Sequence, residues 1–120
     1  MKHSPEFLQL VNEVKDQVKE ISVEQAQLQQ HKGALLVDVR EDNEWEAGHA
    51  TNAIHLGRGI IERDIIDKIP NKNTELILYC GGGFRSLLSA YNLQKMGYTH
   101  VYSMAGGWRS WKDEGAPVEV

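Results

Sequence analysis

The chain's one cysteine, Cys80, stands in the stretch LILYCGGGFRSLL, residues 76–88. Four apolar residues lead into it, three glycines follow, and Arg85 and Ser86 open a helical pattern. The thiolate is the reactive form of cysteine, and a helix N-terminus or a cationic neighbour favours it. This stretch offers both. Backbone N–H groups from Gly81 to Ser86 can turn inward as an anion-binding nest, and the positive end of the next helix adds to them. Glycine at 81, 82 and 83 permits positive φ and a close approach of backbone to sulfur. Arg85 brings a fixed charge and a fork of donors suited to an oxyanion. The bland alternative is a buried, inert cysteine before a simple turn. Three glycines, an arginine and a helix start at one strand end favour the nucleophile.

Other chemistries fit poorly. A P-loop ends in Gly-Lys-Ser/Thr, where this chain has Phe84-Arg85-Ser86. The five histidines, at 3, 31, 49, 55 and 100, lack the close paired spacing of a zinc site, and one cysteine adds too little. Neither a metal nor a cofactor is expected. With 13 Lys+Arg against 17 Asp+Glu the net charge is -4, which leaves no basic excess for nucleic acid. No apolar run reaches the length of a membrane span, and MKHSPEFLQL has no signal-peptide core. A cytoplasmic location is the default expectation, and a single free thiol suits a reducing compartment.

The elements that must position Cys80 follow from periodicity. The 120 residues fit one domain with a real core. Ser4-Pro5 reads as N-cap and first helical position. Phe7, Val11, Val14, Val18 and Ile21 then form one apolar stripe on an N-terminal helix expected to run from Pro5 to Lys19 and to pack on its own domain. Ser22 and Gln25 form a capping box for a second helix, about Val23 to Gln30. ALLVDV, AIHL, ELILYC and HVYSM are strand candidates. Between them run a short polar helical segment ended by Gly48, GIIERDIIDKI ended by Pro70, and RSLLSAYNLQKM ended by Gly97. A last short helix, GGWRSWKDEG, follows. Continuously apolar strands alternating with helices predict an α/β fold with a parallel sheet covered on both faces. Ligands in such folds sit at the carboxyl ends of the strands, where Cys80 lies.

From roughly Ile21 to Val118 the chain resembles the rhodanese (sulfurtransferase) domain family. LLVDVREDNEWEAGHATNAIHL is similar to the family's first motif, with Asp38, Arg40, Glu44, Trp45, Gly48 and His49 at matching places. LILYCGGGFRS resembles its active-site loop, a cysteine, four residues, then arginine. MAGGWRSW is similar to the closing motif of single-domain members, where Gly106, Gly107 and Trp108 stand behind the loop. The resemblance implies a central parallel sheet of about five strands flanked by helices on both faces. Residues 21–120 would form the rhodanese-like domain and residues 1–20 an extra amphipathic helix.

It also implies chemistry. Cys80 would take the outer sulfur of a donor such as thiosulfate, hold it as a persulfide, and pass it to cyanide or a thiol. Gly81, Gly82, Gly83, Phe84, Arg85 and Ser86 would bind substrate and persulfide. Partners would be a small-molecule donor and acceptor, with a protein donor or acceptor as a further option. A rival reading is a sulfur-carrier module loaded by a partner protein, with little turnover of free thiosulfate. A third is a phosphatase or arsenate reductase of related fold. The family's phosphatases carry a loop one residue longer, and here residue 86 is Ser86, so the count from Cys80 to Arg85 favours sulfur.

Asp38 and Arg40 read as a structural ion pair, and His49 as a hydrogen-bonded structural histidine. Trp108 and Trp111, three apart, read as one packed helical face.

Overall fold

A computed structural model of the protein describes residues 3–120. Helix α1 (Pro5–Lys15) starts at Ser4, whose side chain accepts the Phe7 amide, and Pro5 fills its first position. It ends earlier than the apolar stripe predicts, with Asp16 as its C-cap. Lys19–Ile21 instead form β1, which pairs in parallel with β6 (Val101–Met104). Pairing satisfies that backbone, and Ile21 turns away from Val11, Val14 and Val18 into the core on the other face of the sheet. An extended chain and a helix place an apolar residue every few positions alike, so the stripe ran through the boundary unseen.

Helix α2 (Val23–His31) begins where expected, with Ser22 Oγ accepting the Gln25 amide at 3.1 Å. Then come β2 (Leu35–Asp38), α3 (Asp42–Ala47), β3 (His49–Ala50), β4 (Ile54–His55), α4 (Ile61–Lys68), β5 (Leu76–Tyr79), α5 (Phe84–Lys95), β6, α6 (Gly107–Asp113) and β7 (Val118–Glu119). Five parallel strands form the sheet in the order β1-β6-β5-β2-β4. The expected sheet is therefore present, its fifth strand supplied by β1. A two-residue antiparallel pair, β3 with β7, lies apart from it.

Alternate residues of the central strands feed two cores. Val37, Leu78 and Cys80 face α1, α4 and α5 through Val11, Val14, Ile61, Ile65 and Leu87. Leu36, Ile77 and Tyr79 face α2 and α6 through Val23, Ala26 and Trp111. Strands buried on both sides read as unbroken apolar runs for this reason. Trp108 packs against the same second cluster as Trp111. Helix α1 packs on its own domain, against α5. No helix among the described residues is long and apolar enough to cross a membrane.

Candidate active site

Cys80 directly follows β5, at the carboxyl end of the sheet, and α5 begins four residues later behind an N-cap at Gly83. Its Sγ accepts the Gly83 amide at 3.1 Å and the Ser86 amide at 3.4 Å, and lies 3.5 Å from Ser86 Oγ. Gly83 sits at φ +106°, a conformation that L side chains rarely adopt. The bend turns the chain so that the first amides of α5 point back at the sulfur. Twelve residues of aligned peptide dipoles stand behind them, so an anion at Sγ is met by the positive end of a full helix. Ser86 Oγ also reaches Ser103 Oγ of β6 at 2.8 Å and the Gly83 carbonyl at 3.3 Å, which anchors the loop to the neighbouring strand.

A second helix braces the loop from behind. The Trp108 amide donates to the Cys80 carbonyl at 2.7 Å and the Arg109 amide to the Gly81 carbonyl at 3.2 Å. Helix α6 comes this close only because residue 107 is glycine, since a Cβ there would run into the Cys80 carbonyl. The GGW sequence is thus a packing requirement of the cysteine loop.

Arg85 leaves the first turn of α5 and pairs with Glu44 of α3, Nη1 to Oε1 at 2.9 Å and Nη2 to Oε2 at 3.2 Å. The two-point geometry fixes the guanidinium plane beside the loop. Hydrogen bonding to Arg85 holds the Glu44 carboxyl below its ordinary value, and the same bond lifts Arg85 above its own. Glu44 also caps its own helix by accepting the Glu41 amide at 3.0 Å.

The residues of the first motif lie beneath this layer. Asp38 is fully buried and holds Arg40, with Nη2 to Oδ2 at 2.8 Å. Arg40 also donates to the Gly48 carbonyl at 2.7 Å, and its guanidinium lies 4.6 Å from the Trp108 ring centre. Tyr79 stands beside it, its hydroxyl accepting the Ala50 amide at 3.1 Å, and burial pushes the phenol's pKa far above the ordinary range. His49 stacks on Trp45 at 3.4 Å between ring centres, and its Nδ1 lies 3.0 Å from the Trp45 carbonyl. None of these side chains hydrogen-bonds the Cys80 sulfur, whose partners are Gly83 and Ser86. They stitch β2, α3, β3 and α6 into a platform behind the loop.

Cys80 itself is 1% exposed, at the floor of an open cleft of about 720 Å³. Gly81, Gly82, Phe84 and Arg85 line it, while Gly83 and Ser86 bring their amides to the sulfur. Glu41, Asn43 and Glu44 of the first motif and Arg109 of the closing one also line it. The rest of the wall lies outside the motifs, His3 and Phe7 from the N-terminal segment and Arg58 from the stretch before α4. Phe7 could have been suspected from its place at the start of the apolar stripe, beyond the reach of the buried Val11. Nothing in the sequence marks Arg58.

Comparison with known proteins covers most of this architecture. The sequence profile of the rhodanese-like domain matches residues 22–114. Thiosulfate sulfurtransferase GlpE of Pseudomonas syringae pv. syringae is 35% identical over 94 residues, spanning 78% of this chain and 87% of that protein. GlpE of Coxiella burnetii is 30% identical over 95 residues, with the same spans. Among solved structures, a rhodanese-related protein from Thermoplasma volcanium has a TM-score of 0.73 at 26% identity, covering 84% of this chain and 97% of that one. A Rhodopseudomonas palustris protein of unknown function, described as a possible tyrosine phosphatase, has a TM-score of 0.82. At 24% identity it shares the fold, over 99% of this chain and 98% of its own.

Proposed function

The chain belongs to the rhodanese-like domain family, and on that premise we propose that it works as a sulfurtransferase through a persulfide on Cys80. The observation that carries the reading is the position of Sγ, within 3.4 Å of two amides at the positive end of α5 and on the same loop as Arg85. Such a site favours sulfur anions. The Cys80 thiolate attacks the outer sulfur of thiosulfate, the new S–S bond forms as the donor's S–S bond breaks, and sulfite leaves with the electron pair. The Gly83 and Ser86 amides hold the persulfide anion as they hold the thiolate. Arg85 receives the anionic donor in the cleft. A thiophilic acceptor, cyanide or a small or protein-borne thiol, then attacks the outer sulfur and returns Cys80 as thiolate. With cyanide or a thiolate as acceptor and Cys80 reacting as its thiolate, neither half has a proton to transfer.

The loop's length supports sulfur as cargo over phosphate. Arginine follows Cys80 after four residues, and the family's phosphatases use one more. Incubation with thiosulfate followed by intact-mass measurement is the direct test. One added sulfur atom is expected on the wild type and none on Cys80→Ser. Absence of the adduct with thiosulfate and with organic donors alike overturns the proposal.

A further inference from the structure

Part of the cleft's lining is aromatic, and two of its three rings come from outside the residues that match the family profile. His3 and Phe7 have ring centres 5.1 Å apart, His3 and Phe84 5.1 Å, and Phe7 and Phe84 6.3 Å, all tilted. These are the separations of a packed aromatic cluster. All three rings line the same cleft as Cys80. Helix α1 is held there by Val11 and Val14, buried in the core shared with α5. The cleft's volume of about 720 Å³ falls in the range that houses organic ligands and is far larger than a small inorganic anion needs. Its charge is modest. Arg58, Arg85 and Arg109 face Glu41 and Glu44, so one positive charge remains over the mouth of a chain whose net charge is -4.

We infer that His3 and Phe7, with Phe84, form a specificity wall that selects a singly anionic organic sulfur donor with a planar apolar body. The inference rests on the persulfide reading above. The donor's ring lies against the aromatic wall, its anionic group faces the arginines, and its terminal sulfur points down to Cys80. An aryl thiosulfonate has this build. Attack by the Cys80 thiolate forms the Sγ–S bond, breaks the donor's bond between sulfane and sulfonyl sulfur, and releases the aryl sulfinate with the electron pair. No oxidant or reductant is consumed.

The test compares benzenethiosulfonate with methanethiosulfonate, which share charge and reacting group, and keeps thiosulfate as the reference donor. The readout is the ratio of kcat/KM for the two thiosulfonates in each variant relative to wild type, in which their intrinsic reactivities cancel. Phe7→Ala is expected to lower the benzene-to-methane ratio about five-fold, the loss expected of one aromatic contact. His3→Ala is expected to lower it in the same direction, and Phe7→Tyr, which keeps the ring, to restore it. Phe7→Leu serves if Phe7→Ala loosens α1, which a thermal melt reveals. A ratio unchanged in both Phe7→Leu and His3→Ala, with thiosulfate still loading Cys80, overturns the specificity wall and leaves the sulfurtransferase reading standing. Failure of every donor to load Cys80 overturns both.

Discussion

Cys80 Sγ accepts the Gly83 amide at 3.1 Å, and Gly83 aims that amide from a backbone φ of +106°. The sulfur and the glycine bend are one device. A Cβ on residue 83 would also stand 3.3 Å from the Gly106 amide nitrogen. Gly83→Ala is therefore expected to cost about 1–3 kcal/mol of stability, the usual toll of an unfavourable backbone region, measurable by urea unfolding. The variant should also lose persulfide loading by intact mass, because relaxing the bend removes a donor from the sulfur. Full loading in a destabilised variant would separate the two roles and count against the device.

One loop position points the other way. Gly82 has no atom within 4 Å of where a Cβ would stand. Gly82→Lys should fold with a stability change within about 0.5 kcal/mol, as surface substitutions do. It places a cation at the mouth of the cleft. The KM for thiosulfate is expected to fall about two- to five-fold at low salt, with the gain shrinking as ionic strength rises. A KM that is unchanged at low salt would show that the mouth does not meet the anion.

The buried ion pair behind the loop is a matter of integrity. Asp38→Ala leaves the Arg40 guanidinium, 3% exposed, without its carboxylate. Removing one partner of a buried pair costs about 3–5 kcal/mol. Chemical denaturation should register a loss of that order, whereas Arg40→Lys keeps the charge and should lose less, forfeiting only the two-point bond that Nε and Nη2 make to the Asp38 carboxylate.

Glu44 gives a pH signature. Its carboxyl lies below the ordinary 4.5 because Arg85 hydrogen-bonds its ionised form. A depressed folded-state value adds stability that is fully present above 4.5 and fades as pH falls through the lower folded-state value. The thermal midpoints of wild type and Glu44→Gln should differ most above that pH and converge in acid. A gap that does not change with pH would mean that the pair contributes nothing through its charge.

Much of the site could be read from the chain. The apolar run into Cys80, the glycines and Arg85 specify a local strand–bend–helix, and local geometry is what short motifs encode. The Asp38–Arg40 pair was legible because two residues of one strand end can meet each other. What escaped notice is assembled from distant parts. Lys19–Ile21 became a strand only because β6 offers a partner, and His49–Ala50 with Val118–Glu119 pair across sixty-odd residues of chain. The Arg85–Glu44 bond joins α5 to α3, and Phe7 reaches the cleft only after α1 has docked on α5. No periodicity carries such meetings, since tertiary packing alone decides them.

Cys80 is 1% exposed and the only cysteine among these 120 residues. A cysteine with a neighbouring thiol can unload by closing an internal disulfide, as two-cysteine redox enzymes do. This chain contains no such resolving group. On the persulfide reading proposed above, sulfur taken up by Cys80 would wait, shielded by the cleft walls, until an external acceptor able to reach the floor collects it. The residence time of such a loaded form would be set by that acceptor's access, which would make the burial of one sulfur a clock for the whole cycle.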